Sequence, residues 1–119
     1  MDGPLVGTRV IDLSQYVAGP YAGRIMAGFG ADVIKVEPPD GDPVRHWGPF
    51  TEGKPNPETG ALHLYLNQGK RSVTLDLDTA DGRAVLRELI ATADVLVESF
   101  RPGALAEIGF GYEQLKAEF

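Results

Sequence analysis

The chain has 119 residues, no cysteine and a formal net charge of −6, with 43% hydrophobic and 24% charged residues. That length holds one domain with a modest core. The missing cysteine excludes disulfides, thiolate metal sites and a cysteine nucleophile, the acidic balance argues against a general nucleic-acid surface, and no apolar run approaches the ~18 residues of a membrane span. The opening MDGPLVGTRV lacks a basic segment followed by an apolar one, so the expectation is a cytoplasmic protein with no signal peptide.

Arg9–Leu13 (RVIDL) reads as a first strand and Ser14–Gly19 as a loop. Pro20 suits a first helical position, where its missing N–H is no loss. Ala22, Ile25, Met26 and Phe29 follow at helical spacing and predict the face that packs on a sheet. Gly30 closes that helix, and Asp32–Glu37 is a second strand whose Val33, Ile34 and Val36 form the short apolar run that a parallel sheet buries on both faces. Together these make a βαβ unit. Pro38–Gly60 is rich in proline and glycine, long for a loop inside a compact domain, and such loops are often functional. Ala61–Leu66 fits a short helix or strand. Ser72–Leu77 alternates, with Val73, Leu75 and Leu77 on one face, and predicts a strand. Asp78 or Thr79 caps the next helix, whose apolar side is Ala84, Val85, Leu86, Leu89 and Ile90. Asp94–Glu98 predicts a buried strand, Pro102–Ile108 a short helix, and Tyr112–Phe119 the start of another. The fold class is α/β: a Rossmann-like, open, mostly parallel sheet with flanking helices. Four short strands cover their faces only partly, so the sheet is expected to be incomplete, as a fragment or one subunit of something larger.

Ligands of open α/β sheets bind at the carboxyl ends of the strands. The loop Val17–Gly23 (VAGPYAG) lies there. Its glycines favour tight packing over phosphate binding, because G-x-G-x-x-G is absent and Pro20 removes a donor. Glu37 stands where dinucleotide folds place a ribose-binding acid. Without the glycine fingerprint the preferred reading is a solvated strand-end carboxylate. Lys70 and Arg71, beside Gly69, fit either a phosphate grip or a solvated turn. Arg101 follows the fourth strand and belongs to the ligand edge. His46 and His63 have no partner at metal spacing, so no metal site is expected. No Ser/His/Asp set or nucleophile elbow is evident. Trp47, in RHWGPF, fits a ligand stack or a packed loop aromatic. The residues alone describe an anion-binding α/β domain without visible catalytic machinery.

Three separated segments go further: GPLVGTRVIDLSQYVAGPYAGRIMAGFGADVIKVEPPDGDPVRHWGPF, NQGKRSVTLDLDTADGR and ADVLVESFRPGALAEIGFGYEQL. In order and spacing they closely resemble the N-terminal part of family III CoA-transferases of the CaiB/BaiF type, a superfamily that includes formyl-CoA:oxalate and carnitine CoA-transferases and α-methylacyl-CoA racemase. The resemblance implies that residues 1–119 are the first part of a CoA-binding large domain. By the same resemblance, the second domain and the catalytic segment are expected outside them. It implies CoA or an acyl-CoA as substrate with a carboxylic acid as acceptor, no tightly bound cofactor, and two chains interlocked as a homodimer or a partner chain supplying the missing part. It also implies a carboxylate nucleophile, an aspartate downstream of the position of Phe119, that attacks the thioester, so no catalytic residue is expected here.

Carried over by position, Tyr16, Val17 and Ala18 match a loop that meets the CoA thiol arm and the acyl site. Leu75, Asp76, Leu77 and Asp78 match the segment holding the adenine end. Ser99 and Phe100 match residues beside CoA, and Arg101 matches a phosphate-contacting cation of some members. Lys70 and Arg71 join the set as candidate phosphate ligands. Pro38 and Val17 stand where the oxalate enzyme has an arginine and a glutamine, and Glu107 replaces a basic residue, which turns the reading away from oxalate specificity. The alternatives are a non-catalytic CoA- or nucleotide-binding module and a racemase-like enzyme. The long Pro38–Gly60 loop with RHWGPF favours the transferase by analogy.

Overall fold

The computed structural model describes residues 2–119. Four strands, β1 (Arg9–Asp12), β2 (Asp32–Glu37), β3 (Arg71–Thr74) and β4 (Val95–Val97), form one sheet in the order β3-β2-β1-β4. Every pairing is parallel, with Val10 opposite both Val33 and Val95, and Ile34 opposite Arg71. The helices are α1 (Ala18–Gly28), α2 (Ala61–Leu66), α3 (Ala80–Ala91), α4 (Ala104–Glu107) and α5 (Tyr112–Glu118). The α/β class and the parallel sheet agree with the sequence expectation, and Ala61–Leu66 resolves as a helix.

Strand periodicity divides the central strands between two faces. Ile11, Leu13, Ile34 and Val36 point one way and pack with Leu86 and Ile90 of α3, Leu105 of α4 and Phe110. Val73, Leu75 and Leu77 join this cluster, so the predicted alternation holds although β3 itself ends at Thr74. The opposite face carries a smaller apolar group, Val10, Ala31 and Val33, packed against Met26 and Ala27. Asp12, Lys35 and Glu37 continue this face toward the carboxyl ends of the strands, and all are buried.

That polar layer explains why α1 presents an unexpected side to the sheet. Ile25 and Phe29 were predicted to pack inward, yet they are 40% and 51% exposed. Pro20 and Gly23 are the buried positions of α1. A Cβ on Gly23 would lie 2.8 Å from Asp12 Oδ2 and 3.1 Å from Lys70 Nζ. The helix therefore turns its small residues to the sheet to make room for the charged groups beneath it. It begins at Ala18, two residues before Pro20, and is closed by Gly30 at φ +99°.

The Asp94–Glu98 segment also departs from its predicted burial. β4 is bonded to β1 alone, and Val95 is exposed on the sheet's edge. An apolar strand reads the same at a centre and at an edge, so only strand order separates the two cases. α3 is capped by Thr79, whose Oγ accepts the Gly82 N–H at 3.0 Å. Gly82 is held against the preceding turn, where an added Cβ would lie 1.9 Å from the Asp76 carbonyl oxygen. Gly82→Ala is accordingly expected to lower stability by about 2 kcal/mol or more, whereas Gly28→Ala, which meets nothing within 4 Å, should be neutral or stabilising by about 0.5 kcal/mol. Urea unfolding midpoints of the two variants check this contrast.

Candidate functional site at the carboxyl edge of the sheet

β1 has β2 on one side and β4 on the other, so the strand order reverses beside β1. The carboxyl ends of β1 and β4 flank the crevice where open α/β sheets take ligands. Three consecutive residues after β1 are tethered there from three directions. Ser14 is buried. Its N–H donates to Asp12 Oδ1 at 2.9 Å, its hydroxyl donates to the same oxygen, and its carbonyl accepts from Lys35 Nζ at 3.1 Å. The Gln15 N–H donates to Ser99 Oγ, beyond β4, at 2.9 Å. The Tyr16 N–H donates to Asp42 Oδ1 at 3.3 Å. Tyr16 itself has φ +65°, a left-handed conformation that a tyrosine rarely adopts. Beyond it the side chains of Tyr16, Val17 and Ala18 are exposed. The Tyr16 ring meets Trp47 with centroids 5.7 Å apart.

The tethers belong to a buried ionic layer. Lys35 Nζ donates to Asp42 Oδ2 at 2.8 Å, and the two side chains are 2% and 1% exposed. Asp42 Oδ1 also accepts the Val44 N–H at 2.9 Å, and the Asp42 N–H donates to Glu37 Oε2 at 2.8 Å. Glu37 is not the solvated carboxylate that the sequence favoured. It is 4% exposed and receives two hydrogen bonds of 2.7 Å from Arg45, through Nε and Nη2. Arg45 reaches on to the Pro57 carbonyl at 2.9 Å, so one guanidinium ties both ends of the proline-rich loop to β2. Gly41, at φ +79°, makes the turn possible, because a Cβ there would lie 2.6 Å from Arg45 Cδ. The loop's first part is therefore a braced platform.

Lys70 belongs to the same layer. Its Nζ donates to Asp12 Oδ2 at 2.7 Å, the Pro20 carbonyl at 2.8 Å and Asn67 Oδ1 at 2.9 Å. Burial pushes its ammonium below the ordinary lysine value, against the hydrogen bond and charge of Asp12. Three donors are satisfied inside the protein, and none is left for a phosphate. Arg71 is the first residue of β3 and turns to Asp32, at the start of β2, with bonds of 2.9 and 2.7 Å. Arg9 binds the same carboxylate at 2.8 Å. The placement of Lys70 and Arg71 at the ligand edge is thus corrected. In a parallel sheet a residue preceding a strand starts from the opposite end, and Lys70 is drawn under α1 by Asp12.

Leu75, Asp76, Leu77 and Asp78 do reach the carboxyl edge. With Leu13, Gln15, Pro38, Pro39 and Phe100 they line a cleft of about 370 Å³. Its walls are apolar, its polar rim includes Asp40, Asp76 and Asp78, and no lysine or arginine lines it. The Asp76 carboxylate folds its own turn by accepting the Asp78 N–H at 3.0 Å. Phe100 is fixed by donating its N–H to Glu98 at 2.7 Å. Arg101 is exposed and paired with both oxygens of Glu107, at 3.2 and 2.8 Å. The structure therefore groups Tyr16–Ala18, Leu75–Asp78, Ser99 and Phe100 at one edge, with Arg101 just beyond them in the chain. Sequence reasoning missed Asp12, Ser14, Lys35, Asp42 and Arg45 as the residues that build it. The available signal was a lysine between Ile34 and Val36 in a strand otherwise read as buried.

His63, also buried, lies close enough to this layer to feel Arg45 and Lys35. Burial first, then the Arg45 charge, holds its pKa below the usual histidine value.

For Glu37, burial by itself raises the pKa, but the Arg45 hydrogen bonds and charge with the Asp42 N–H outweigh it and bring the carboxyl from 4.5 down to about 2. A depressed carboxylate stabilises the fold fully above the unfolded value and stops doing so as pH falls through the folded one. A loss of about 3 kcal/mol is thus expected between about pH 4.5 and pH 2, and Glu37→Gln should remove that part of the acid dependence. Unfolding free energies measured at a series of pH values check it. Lys35→Met alone leaves Asp42 buried and uncompensated and is expected to destabilise by about 3–5 kcal/mol, measured by the same method.

Comparison with known proteins agrees with this architecture. The family model for CoA-transferase family III matches residues 5–119. Succinate–glutarate CoA-transferase of Agrobacterium fabrum is 47% identical over 116 residues, covering 95% of this chain and 29% of the relative. Succinyl-CoA–D-citramalate CoA-transferase of Chloroflexus aurantiacus is 41% identical over 124 residues, covering 96% and 28%. The crystal structure of a CaiB/BaiF family protein from Brucella suis superimposes with a TM-score of 0.88 at 44% identity, over 98% of this chain and 31% of that one. The chain spans less than a third of the length of these proteins. With a fold, an order of motifs and an identity level that all coincide, the chain belongs to CoA-transferase family III.

Proposed function

We propose that residues 1–119 form the first part of the CoA-binding domain of an enzyme that moves CoA from an acyl-CoA to a carboxylic acid. The single observation that carries this reading is the grouping of the Tyr16–Ala18 loop, the Leu75–Asp78 wall, Ser99 and Phe100 at the carboxyl edge of the sheet. The cleft beside Leu75–Asp78 suits the adenine end of CoA. Leu75, Leu77 and Phe100 offer apolar surface to a base, and the acidic rim accepts from an exocyclic amino group. The cleft suits phosphates poorly, because no cation lines it. Arg101, exposed and paired only with Glu107, is the cation nearest in the chain to this edge. Tyr16, Val17 and Ala18 receive the thiol arm and the acyl end. Both curated relatives named above are CoA-transferases, which supports transfer over racemisation.

In this reading the nucleophile is an aspartate outside these residues. It attacks the thioester carbonyl to form an enzyme-bound anhydride and release CoA. CoA then attacks the aspartyl carbonyl of that anhydride, which expels the donor acid as its carboxylate and leaves an enzyme–CoA thioester. The acceptor carboxylate displaces CoA from it as a second anhydride, whose acyl carbonyl CoA attacks to give the new acyl-CoA and the free aspartate. The buried carboxylates behind this edge have other work: Asp12 and Asp42 hold buried lysines and Glu37 holds Arg45. The chain's own part is to bind and orient CoA. An interlocked homodimer, or a partner chain that brings the nucleophile, belongs to the same proposal.

Calorimetry of the folded chain with CoA tests the binding half. Binding that weakens with added salt is expected, and Arg101→Ala should lower the affinity about fivefold to tenfold at low salt. No heat of binding from folded protein at low salt would remove the proposal. Mixing the chain with succinyl-CoA and a panel of carboxylic acids, followed by mass spectrometry, tests the chemical half. No transfer is expected from residues 1–119 alone. Turnover that disappears on changing one of the chain's own aspartates or glutamates would move the nucleophile into this chain.

A further inference from the structure

The Tyr16–Ala18 loop presents an arrangement that its own side chains do not explain. Tyr16 and Val17 are large apolar residues left half exposed, so burial of the loop does not hold it in place. Tyr16 nevertheless adopts φ +65°, a conformation that persists only where the surroundings over-determine it. The surroundings are the backbone tethers of Ser14, Gln15 and Tyr16. Two of them lead to one buried pair: Lys35 Nζ holds the Ser14 carbonyl, and Asp42 Oδ1 holds the Tyr16 N–H. The others lead from the Ser14 N–H to Asp12 and from the Gln15 N–H to Ser99.

We propose that Lys35 and Asp42 are positioning residues for the acyl end of the substrate: their ion pair fixes the backbone on either side of Gln15 and so sets where Tyr16, Val17 and Ala18 meet the thioester. The inference rests on the functional reading above. Both side chains are closed to solvent, so they act through the loop and not by touching a ligand. A pair that served only to hold the fold together would be replaceable by two apolar groups of similar size, which often leaves stability unchanged or improved. Apolar groups, however, place no directed hydrogen bond on the Ser14 carbonyl or the Tyr16 N–H. The remaining partners of the pair, the Val44 N–H on Asp42 Oδ1 and the Asp42 N–H on Glu37, brace it from the Pro38–Gly60 loop. The platform carrying Trp47 and the loop carrying Tyr16 thus share one anchor, and their rings meet in front of it.

The test is the double variant Lys35→Met/Asp42→Leu of this chain, read in three ways. Circular dichroism reports folding, amide exchange by NMR reports the tethers, and calorimetry compares succinyl-CoA with ADP, which lacks the pantetheine arm and the acyl group. In the folded variant the Tyr16 amide should exchange at least about tenfold faster. Succinyl-CoA affinity should fall on the order of tenfold with ADP affinity unchanged, since misplacement of a positioning element weakens only the contacts it aims. A general loss of structure would weaken both ligands. Equal losses for the two ligands, or unchanged Tyr16 exchange in the folded variant, would overturn the proposal. Should the double variant not fold, the unaltered chain decides. Exchange of its Tyr16 amide at the rate of an unstructured peptide overturns the clamp, and slow exchange that slows further with succinyl-CoA but not with ADP supports it. Absence of CoA binding by the unaltered chain overturns the functional reading and the acyl-CoA role with it. Protection at Tyr16 would then show that the clamp itself stands.

Discussion

A lysine ammonium and an aspartate carboxylate, both removed from water, meet at 2.8 Å between Lys35 and Asp42. Desolvating two such ions costs several kcal/mol each, and only close pairing with further hydrogen bonds offsets it. Here the further bonds go to backbone atoms of two different loops. Lys35 stands in the second strand, Ser14 and Tyr16 in the loop after the first, and Asp42 and Val44 in the proline-rich segment. The need to satisfy one buried pair thereby determines where two loops lie relative to the sheet.

The same constraint spreads to the neighbouring charges. Asp12 with Lys70 and Glu37 with Arg45 form two more close pairs on the same face, and with Lys35 and Asp42 the layer is electrically balanced. A buried layer of this kind leaves little room for a bulky helix above it. That is why the first helix brings Pro20 and Gly23 to the sheet and carries Ile25 and Phe29 outward. It is also why the lower face has a small apolar cluster while the upper face, under the third helix, holds most of the core. Stability and site construction are divided between the two faces of one sheet.

At the carboxyl edge this division gives a ligand surface of mixed character. The Leu75–Asp78 turn and Phe100 supply an apolar cleft with acidic rims, while the Tyr16–Trp47 pair supplies an aromatic shelf held from behind by charges. Lys35, Arg45, Lys70 and Arg101 are all engaged in ion pairs with carboxylates of the chain. Proximity of a cation to a loop in the sequence is a poor guide to its availability, because a long side chain reaches toward its nearest buried carboxylate first.

Local patterns alone were enough for the four strands, the α/β class and the Gly30 stop, and they narrowed the cap of the third helix to Asp78 or Thr79, because each depends on residues within a few positions of one another. The order and spacing of the three long motifs were also enough for the family. Three matters depended on strand order and on contacts between distant segments. Val95 is exposed because β4 lies at an edge, which its own composition does not reveal. Arg71 faces Asp32 and Lys70 faces Asp12 across separations of 39 and 58 residues. Glu37 is buried because Arg45 and the Asp42 amide reach it, although a carboxylate at a strand end is ordinarily solvated. Burial of a charge is a property of its partners, and partners so far apart in the chain meet only when the sheet has brought them together.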